Sequence, residues 1–394
     1  MAMRNWLFAK AASRDFRLQT VIVPVVGHGQ VPAQMPATVL RLPGAAEVAG
    51  AVPALLADPV WRERISRAYP LPRLATLAPA TLAAAVIRAT GSAHGTPVHA
   101  ARSYLAPLAV ALAERLGSPW VTLDLDDDDE ALAESAGQQS EALAYRRLAG
   151  VFGPLFDGVA VAAPSEAAAI AGRYGLTTTV IPNAVRVGNL PPAQCRTGGG
   201  SDGGRGPVSL LFVGNLTYWP NKDAAVRLVR DVLPRLRALI ATEVTVTLVG
   251  DTGGEAGLHA LGLQPGVTVA GFAPDLAPYY RAADVLVAPL AFGAGTRIKL
   301  LEAFARGVPV VSTSQGATGL DVTDGEQALI ADTAAGQAAA VARLLADHQL
   351  RGRITASAWN LVCERYSHEA VLPQIREFFA AAASRASAQV SGLR

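Results

Sequence analysis

The second half of the chain alternates short β-branched apolar runs with stretches of helical period, and that alternation leaves few folds open. VSLLFVG (208 to 214), VTVTLVG (244 to 250), VTVAG (267 to 271), DVLVAP (284 to 289) and VPVVST (308 to 313) are continuous apolar runs of strand length. Between them, 223 to 240 and 296 to 306 carry apolar residues at i, i+3, i+4 and i+7, the stripe of a packed helix. Strands that are apolar throughout are covered on both faces, and helices between them imply a parallel sheet. This half predicts a Rossmann-type α/β domain.

The first half repeats the theme less regularly. Candidate strands are 18 to 26, 120 to 124, 159 to 162 and 179 to 181, with helices near 44 to 57, 79 to 89, 101 to 116 and 128 to 149 and a last helix from 368 to about 385. TGGGSDGGRGP (197 to 207) has six glycines and little to bury, so it reads as a linker. The 394 residues then divide into a Rossmann-like domain over 1–190, a Gly-rich linker over 191–207, a second Rossmann-like domain over 208–366, and a helix and tail over 367–394. Two such doubly wound domains predict a ligand cleft between the carboxyl ends of their sheets.

Hydrophobic residues make up 51% and charged residues 17%, with mean hydropathy +0.28, which excludes a disordered chain. The apolar excess is largely alanine, and no run of 18 residues has the density to span a bilayer. Residues 1–17 alternate apolar positions with Arg4, Lys10, Arg14 and Arg17, unlike a secretory signal, and the expectation is a cytoplasmic protein. Cys195 and Cys363 are too few for a disulfide framework and lack metal-ligand spacing. Residues 1–120 carry 12 basic against 5 acidic side chains. Arg62, Arg64, Arg67, Arg73 and Arg88, interleaved with Trp61 and Tyr69, read first as a solvated face and second as a peripheral contact with an anionic membrane or lipid-linked acceptor. No recognition motif accompanies the charge, so nucleic acid is not an expected partner. His28, His94 and His99 read as structural histidines.

Lysine occurs only at 10, 222 and 299, so its positions carry information. In PLAFGAGTRIKLLEAFARGVPVVST (289 to 313) a strand ends, a loop with Gly293 and Gly295 follows, and a helix is expected from about Thr296. Arg297 and Lys299 then stand beside the positive end of a helix dipole, an unfavourable placement unless an anion offsets it. Glu302 follows Thr296 by six residues, about 9 Å along the axis, which suits phosphates at the helix start and ribose hydroxyls at the carboxylate. The competing reading is a solvated basic face with Glu302 as an ion-pair partner. In WVTLDLDDDDE (120 to 130), Asp124-Leu-Asp126 has a metal-binding form, but an acidic helix start, or Asp126 or Asp127 facing an acceptor, fits the setting better.

GNLTYWPNKDAA (214 to 225), VTVAGFAPDLAPYYRAADVLVAPL (267 to 290), GAGTRIKLLEAFARGVPVVST (293 to 313) and VIPNAV (180 to 185) together resemble the donor domain of retaining GT-B glycosyltransferases of family 4, glycosyl transferases group 1. The subgroup it resembles reads G-x-G-T/I-R-x-K-x-x-E. The resemblance implies two Rossmann-like domains facing across a cleft, the first on the acceptor side and the second holding the donor. It implies a bacterial, hexosyltransferase-like enzyme of polysaccharide biosynthesis. Such an enzyme moves a sugar from a nucleotide-diphosphate sugar to a glycan, lipid-linked glycan or small-molecule acceptor, with retention and with no cofactor or obligatory metal. By resemblance Arg297, Lys299 and Asp127 are the catalytic residues. Gly214, Asn215, Lys222, Gly250, Gly271, Phe272, Gly293, Gly295, Thr296, Leu301 and Glu302 would bind the donor.

Two positions depart from the family pattern: Ala294 replaces a glutamate that contacts the donor sugar, and Asn215 stands where an arginine is usual. The opening strand and glycine loop of the first domain also have no counterpart, since the chain begins with what resembles the following helix, NWLFAKAASRDF. These departures keep two alternatives open, a catalytically impaired nucleotide-sugar binding protein and a GT-B nucleotide-sugar 2-epimerase.

Overall fold

The computed structural model describes residues 2–23, 37–41, 45–188, 206–292 and 297–392. The chain forms two compact units, Met1–Pro182 with Val371–Arg394, and Asn183–Ala370.

In the first unit β3 (Val98–Ala101), β4 (Val121–Asp124), β5 (Gly158–Val161) and β6 (Thr179–Val180) form a parallel sheet in that order, and β1 (Thr20–Ile22) pairs in parallel with β2 (Ala37–Val39). β4 and β5 are buried along their whole length, as strands covered on both faces should be. Ala101 lies beside Asp124 in the β3–β4 register, so the residues that follow each strand leave the sheet together. The final helix, His368–Gly392, runs past the expected end near 385 and sends Phe378 and Phe379 into this unit. Phe379 meets Phe8, His99 and Trp120, and His99 stacks on Phe8 at 4.7 Å. Burial in this aromatic cluster lowers the His99 pKa to about 4, so the imidazole is neutral within the packed core.

Three local differences from the sequence reading have physical causes. The helix expected over 128–149 is two, Asp129–Ser135 and Gln139–Phe152, because Gly137 turns at φ 73°. The helix expected from 101 begins as a 3-10 turn at Ser103–Leu105 and becomes α-helical at Ala106, because Arg102 holds φ 84°. β3, VHAA, was not read as a strand: it is four residues long with alternating burial and has no apolar run. Of the segment 18 to 26, residues 24–26 lie outside the described residues.

The second unit is a six-stranded parallel sheet of β7 (Val208–Val213), β8 (Val244–Val249), β9 (Val267–Gly271), β10 (Val285–Ala288), β11 (Val310–Ser312) and β12 (Leu329–Ile330). Its order is β12-β11-β10-β7-β8-β9. The five apolar runs of the sequence are five of these strands; β12 has two residues, too short to show a pattern. The chain reverses its winding between β7 and β10, and ligands of such sheets bind at the carboxyl ends beside that reversal. The ends of β7 and β8 approach closely there: a Cβ on Gly250 would lie 1.7 Å from the Gly214 carbonyl oxygen, so only glycine fits.

Candidate functional site

At the carboxyl end of β7, Gly214 leads into a turn closed by Asn215, whose Oδ1 accepts from the Thr217 N–H at 3.0 Å and its hydroxyl at 2.8 Å. The helix Trp219–Arg227 follows. Beyond β10 the described helix is Ile298–Ala305, with Arg297 as its N-cap residue. Gly293, Ala294, Gly295 and Thr296 lie outside the described residues, so the glycine loop and the expected start at Thr296 are not part of this description.

Lys299, the second residue of that helix, reaches back to β7. Its Nζ donates to Asn221 Oδ1 at 2.6 Å and lies 4.4 Å from the centroid of the Phe212 ring. A Cβ on Gly214 would sit 2.9 Å from Nζ, so the missing side chain at Gly214 is what lets the amine lie there. Burial, helped by the nearby Arg297, lowers the Lys299 pKa from its ordinary 10.5 to about 7. Arg297 is itself buried, 7% exposed, and its Nη2 donates to the Gln315 carbonyl at 3.2 Å. The expected pair of cations therefore stands at the helix start, with Lys299 directed to the strand ends.

Glu302 lies one turn beyond Lys299, half-buried, with Arg306 donating to its carbonyl at 3.1 Å. Tyr280 braces the same turn by donating its hydroxyl to the Lys299 carbonyl at 3.2 Å, and burial followed by the Glu302 charge pushes its pKa well above the usual value. Gly271 ends β9 at φ 71° and takes the Gly250 N–H on its carbonyl at 2.8 Å, while Phe272 is 62% exposed just beyond it. Trp219 lies nearly parallel to Phe292, centroids 6.3 Å apart.

Two expected donor residues have their side chains engaged within the protein. The Leu301 side chain is fully buried in the core, so only its backbone could meet a ligand. Lys222 is ion-paired with Glu255 and lies 5.7 Å from the Trp219 ring, because its position in the helix turns it toward the loop after β8. Asn221 lies inside GNLTYWPNKDAA but carried no expected role, yet its amide joins Lys299 to the turn. Nothing short of the fold could have shown that 221 and 299 meet.

The first unit carries a separate acidic edge where β3 and β4 end. Asp124 is fully buried and takes a side-on pair of bonds from Arg4, Nε and Nη2 each at 2.7 Å, while Arg4 Nη1 donates to the Ile181 carbonyl at 2.6 Å. Arg102 donates to Asp127 at 2.6 Å and also to Asp129, which Ser103 binds too. Among the described residues, Arg102 and Asp126 (φ 61°) are the two non-glycine residues with positive φ, and they lie within ion-pairing distance of each other, 3.6 Å. Backbone strain of this kind, of order 1–3 kcal/mol per residue, concentrates at functional sites. Burial followed by the charge of Asp127 pushes the Asp126 pKa up.

Glu166, which accepts the N–H groups of Ala162 and Ala163, is raised by burial to about 7. Of the expected acceptor-side carboxylates, Asp127 is the more open, with 36% of its side chain exposed. Asp124 and Asp129 are occupied by arginines, and among the described residues no group of three potential ligands could hold a metal ion. Arg4 and Arg102 were missed by the motif reading because each is a lone arginine whose partners lie in other segments.

Comparison with known proteins matches residues 207–347 to the family "Glycosyl transferases group 1". Over 134 residues the chain is 32% identical to the lipopolysaccharide core biosynthesis glycosyltransferase LpsE of Rhizobium meliloti, covering 32% of this chain and 39% of LpsE. Over 188 residues it is 34% identical to a D-inositol 3-phosphate glycosyltransferase of Acidothermus cellulolyticus, covering 44% of this chain and 40% of the relative. The chain thus spans about two fifths of the length of these relatives. Among solved structures, Alr3699/HepE of Anabaena in complex with UDP and glucose superposes with TM-score 0.66 at 17% identity, covering 96% of this chain and 95% of that one. Sucrose-phosphate synthase of Thermosynechococcus elongatus superposes with TM-score 0.65 at 18% identity, covering 96% and 93%. The fold is the two-domain α/β fold of GT-B glycosyltransferases.

Proposed function

From the match of residues 207–347 to the glycosyl transferases group 1, we propose that the chain transfers a sugar from a nucleoside-diphosphate sugar to an acceptor hydroxyl. One observation carries the reading: at the reversal between β7 and β10, the Lys299 amine lies against side-chain-free Gly214 with Arg297 beside it. Cations at the carboxyl ends of a parallel sheet fit a diphosphate leaving group, whose charge grows as the glycosidic bond breaks and is stabilised by donors already in place. UDP and UDP-glucose are bound in the Anabaena structures, which favours a uridine nucleotide as the first probe for this chain.

In this reading Lys299 and Arg297 stabilise the leaving diphosphate, Glu302 accepts the ribose hydroxyls, and Gly271 and Phe272 flank the base. Asp127, held by Arg102, faces the acceptor, and the exposed Arg62, Arg67 and Arg73 suit an acceptor carried at an anionic membrane surface. Retention without an obligatory metal follows the family resemblance. No described helix is long and apolar enough to cross a membrane.

Calorimetry with UDP, GDP and ADP, followed by donor turnover with and without glycan acceptors, tests the function. Acceptor-dependent turnover is expected; donor conversion without acceptor indicates an epimerase, and binding without turnover indicates a binding protein. Glu302→Ala should raise KM for the donor about tenfold, the loss of a hydrogen bond to a charged group, with kcat little changed. An unaltered KM removes Glu302 from the donor site.

A further inference from the structure

Asn221 is clamped at both ends. Its Oδ1 accepts from Lys299 Nζ at 2.6 Å, and its Nδ2 donates to the Asn215 carbonyl at 2.9 Å. A carbonyl can only accept, so the amide orientation is fixed and Oδ1 must face the amine. The carbonyl is itself anchored: Asn215 Oδ1 closes the turn on Thr217, and the Tyr218 N–H donates to the Asn215 carbonyl at 3.3 Å. Among the described residues, the amine also meets the face of Phe212 and bare Gly214, with Arg297 nearby.

Among the described residues, no carboxylate lies within ion-pairing distance of Lys299, in contrast to Lys222, which is paired with Glu255. A neutral acceptor orients an amine without cancelling its charge. A carboxylate at the same place would cancel it against any incoming phosphate.

We propose that Asn221 is the positioning residue for Lys299, tying its amine to the β7 turn through a neutral hydrogen bond so that the full positive charge faces the donor diphosphate. The inference rests on the donor-site reading above. Burial and Arg297 leave Lys299 near pH 7, so a diphosphate arriving at higher pH draws a proton onto the amine. Asn221 then determines both how well the diphosphate binds and whether binding is accompanied by that proton.

The test is calorimetric titration of the full chain with UDP at about pH 8, in two buffers of different ionisation enthalpy, with inorganic pyrophosphate as a second probe. Wild type should take up a proton on binding. Asn221→Ala should weaken UDP about tenfold, the equivalent of one hydrogen bond to a charged group. Asn221→Asp has the same shape and keeps an acceptor for Nζ, but it gives up the bond to the Asn215 carbonyl, and its carboxylate keeps the amine charged beforehand. It should bind UDP at least tenfold more weakly and lose the proton uptake, which a merely structural role for Asn221 would leave unchanged.

Lys299→Met should lose both the affinity and the uptake. If Lys299→Met loses them while both Asn221 variants keep wild-type affinity and uptake, the positioning role is overturned and the donor site stands. If Lys299→Met also binds as wild type does, or if neither probe binds the wild-type chain, the donor-site reading falls and this inference with it. Should Asn221→Ala fail to fold, the proton stoichiometry of Asn221→Asp decides.

Discussion

Arg4→Ala is expected to destabilise the first unit by about 3–5 kcal/mol, the usual loss when one partner of a buried ion pair is removed. Arg4 is 2% exposed and Asp124 is fully buried, so the alanine variant strands a carboxylate that water cannot reach. The same change releases the Ile181 carbonyl just after β6, so one guanidinium joins the carboxyl ends of two strands to the first helix, Ala2–Ala12. A domain is stable by only 5–15 kcal/mol in total, so a loss of this size leaves a detectable unfolded fraction. Chemical denaturation of Arg4→Ala, Asp124→Ala and the double variant measures it. The double variant should lose less than the sum of the singles, because removing both charges removes the unpaired one. Strict additivity would mean that the pair does not couple β4 to the first helix.

Lys299→Met is the second large effect. It removes the amine while keeping the unbranched side chain out to Cε, and turnover should fall about 10²–10³-fold, the size seen when one stabilising donor is taken from a developing anion. The pH dependence follows from the lowered pKa. Below pH 7 the amine is already charged in the empty site, and nucleotide affinity is flat with respect to this group. Above pH 7 each binding event must acquire a proton, so affinity falls, by up to tenfold per pH unit, until the pKa of the bound state is reached.

The stability of the second unit bends the opposite way. The folded pKa, about 7, lies below the ordinary 10.5, so the unfolded chain binds more protons between these values. Stability therefore declines as pH falls from 10.5 to 7 and levels off below. Lys299→Met should abolish both limbs; a variant that keeps the wild-type pH profile would place the titrating group elsewhere.

The architecture of the second unit was legible because five of its six strands fall in β-branched, largely apolar runs separated by helical periods, and the glycines at 214, 250 and 271 fall where strands end. The first unit was less so. β3 and β6 have four and two residues, and what holds their carboxyl edge is an ion-pair set spread over positions 4, 102, 124, 127 and 129. Residues so distant in sequence leave no periodic trace.

In the candidate site, Arg297, Lys299 and Glu302 could be named from their place behind a glycine loop, since charge at a helix start has a local meaning. Asn221 could not, because its role exists only once β7 and the helix after β10 are side by side. Lys222 drew attention as one of three lysines, but in the fold its neighbour at 221 meets the amine of Lys299 while Lys222 turns to Glu255.

The most direct test is a crystal structure of the chain with UDP bound. The account predicts the two phosphates beside the Lys299 amine and the Gly214 turn, the ribose at Glu302 and the base beside Gly271 and Phe272. UDP bound elsewhere on the second unit, with the Lys299 amine still held by Asn221 and no phosphate near it, would contradict it.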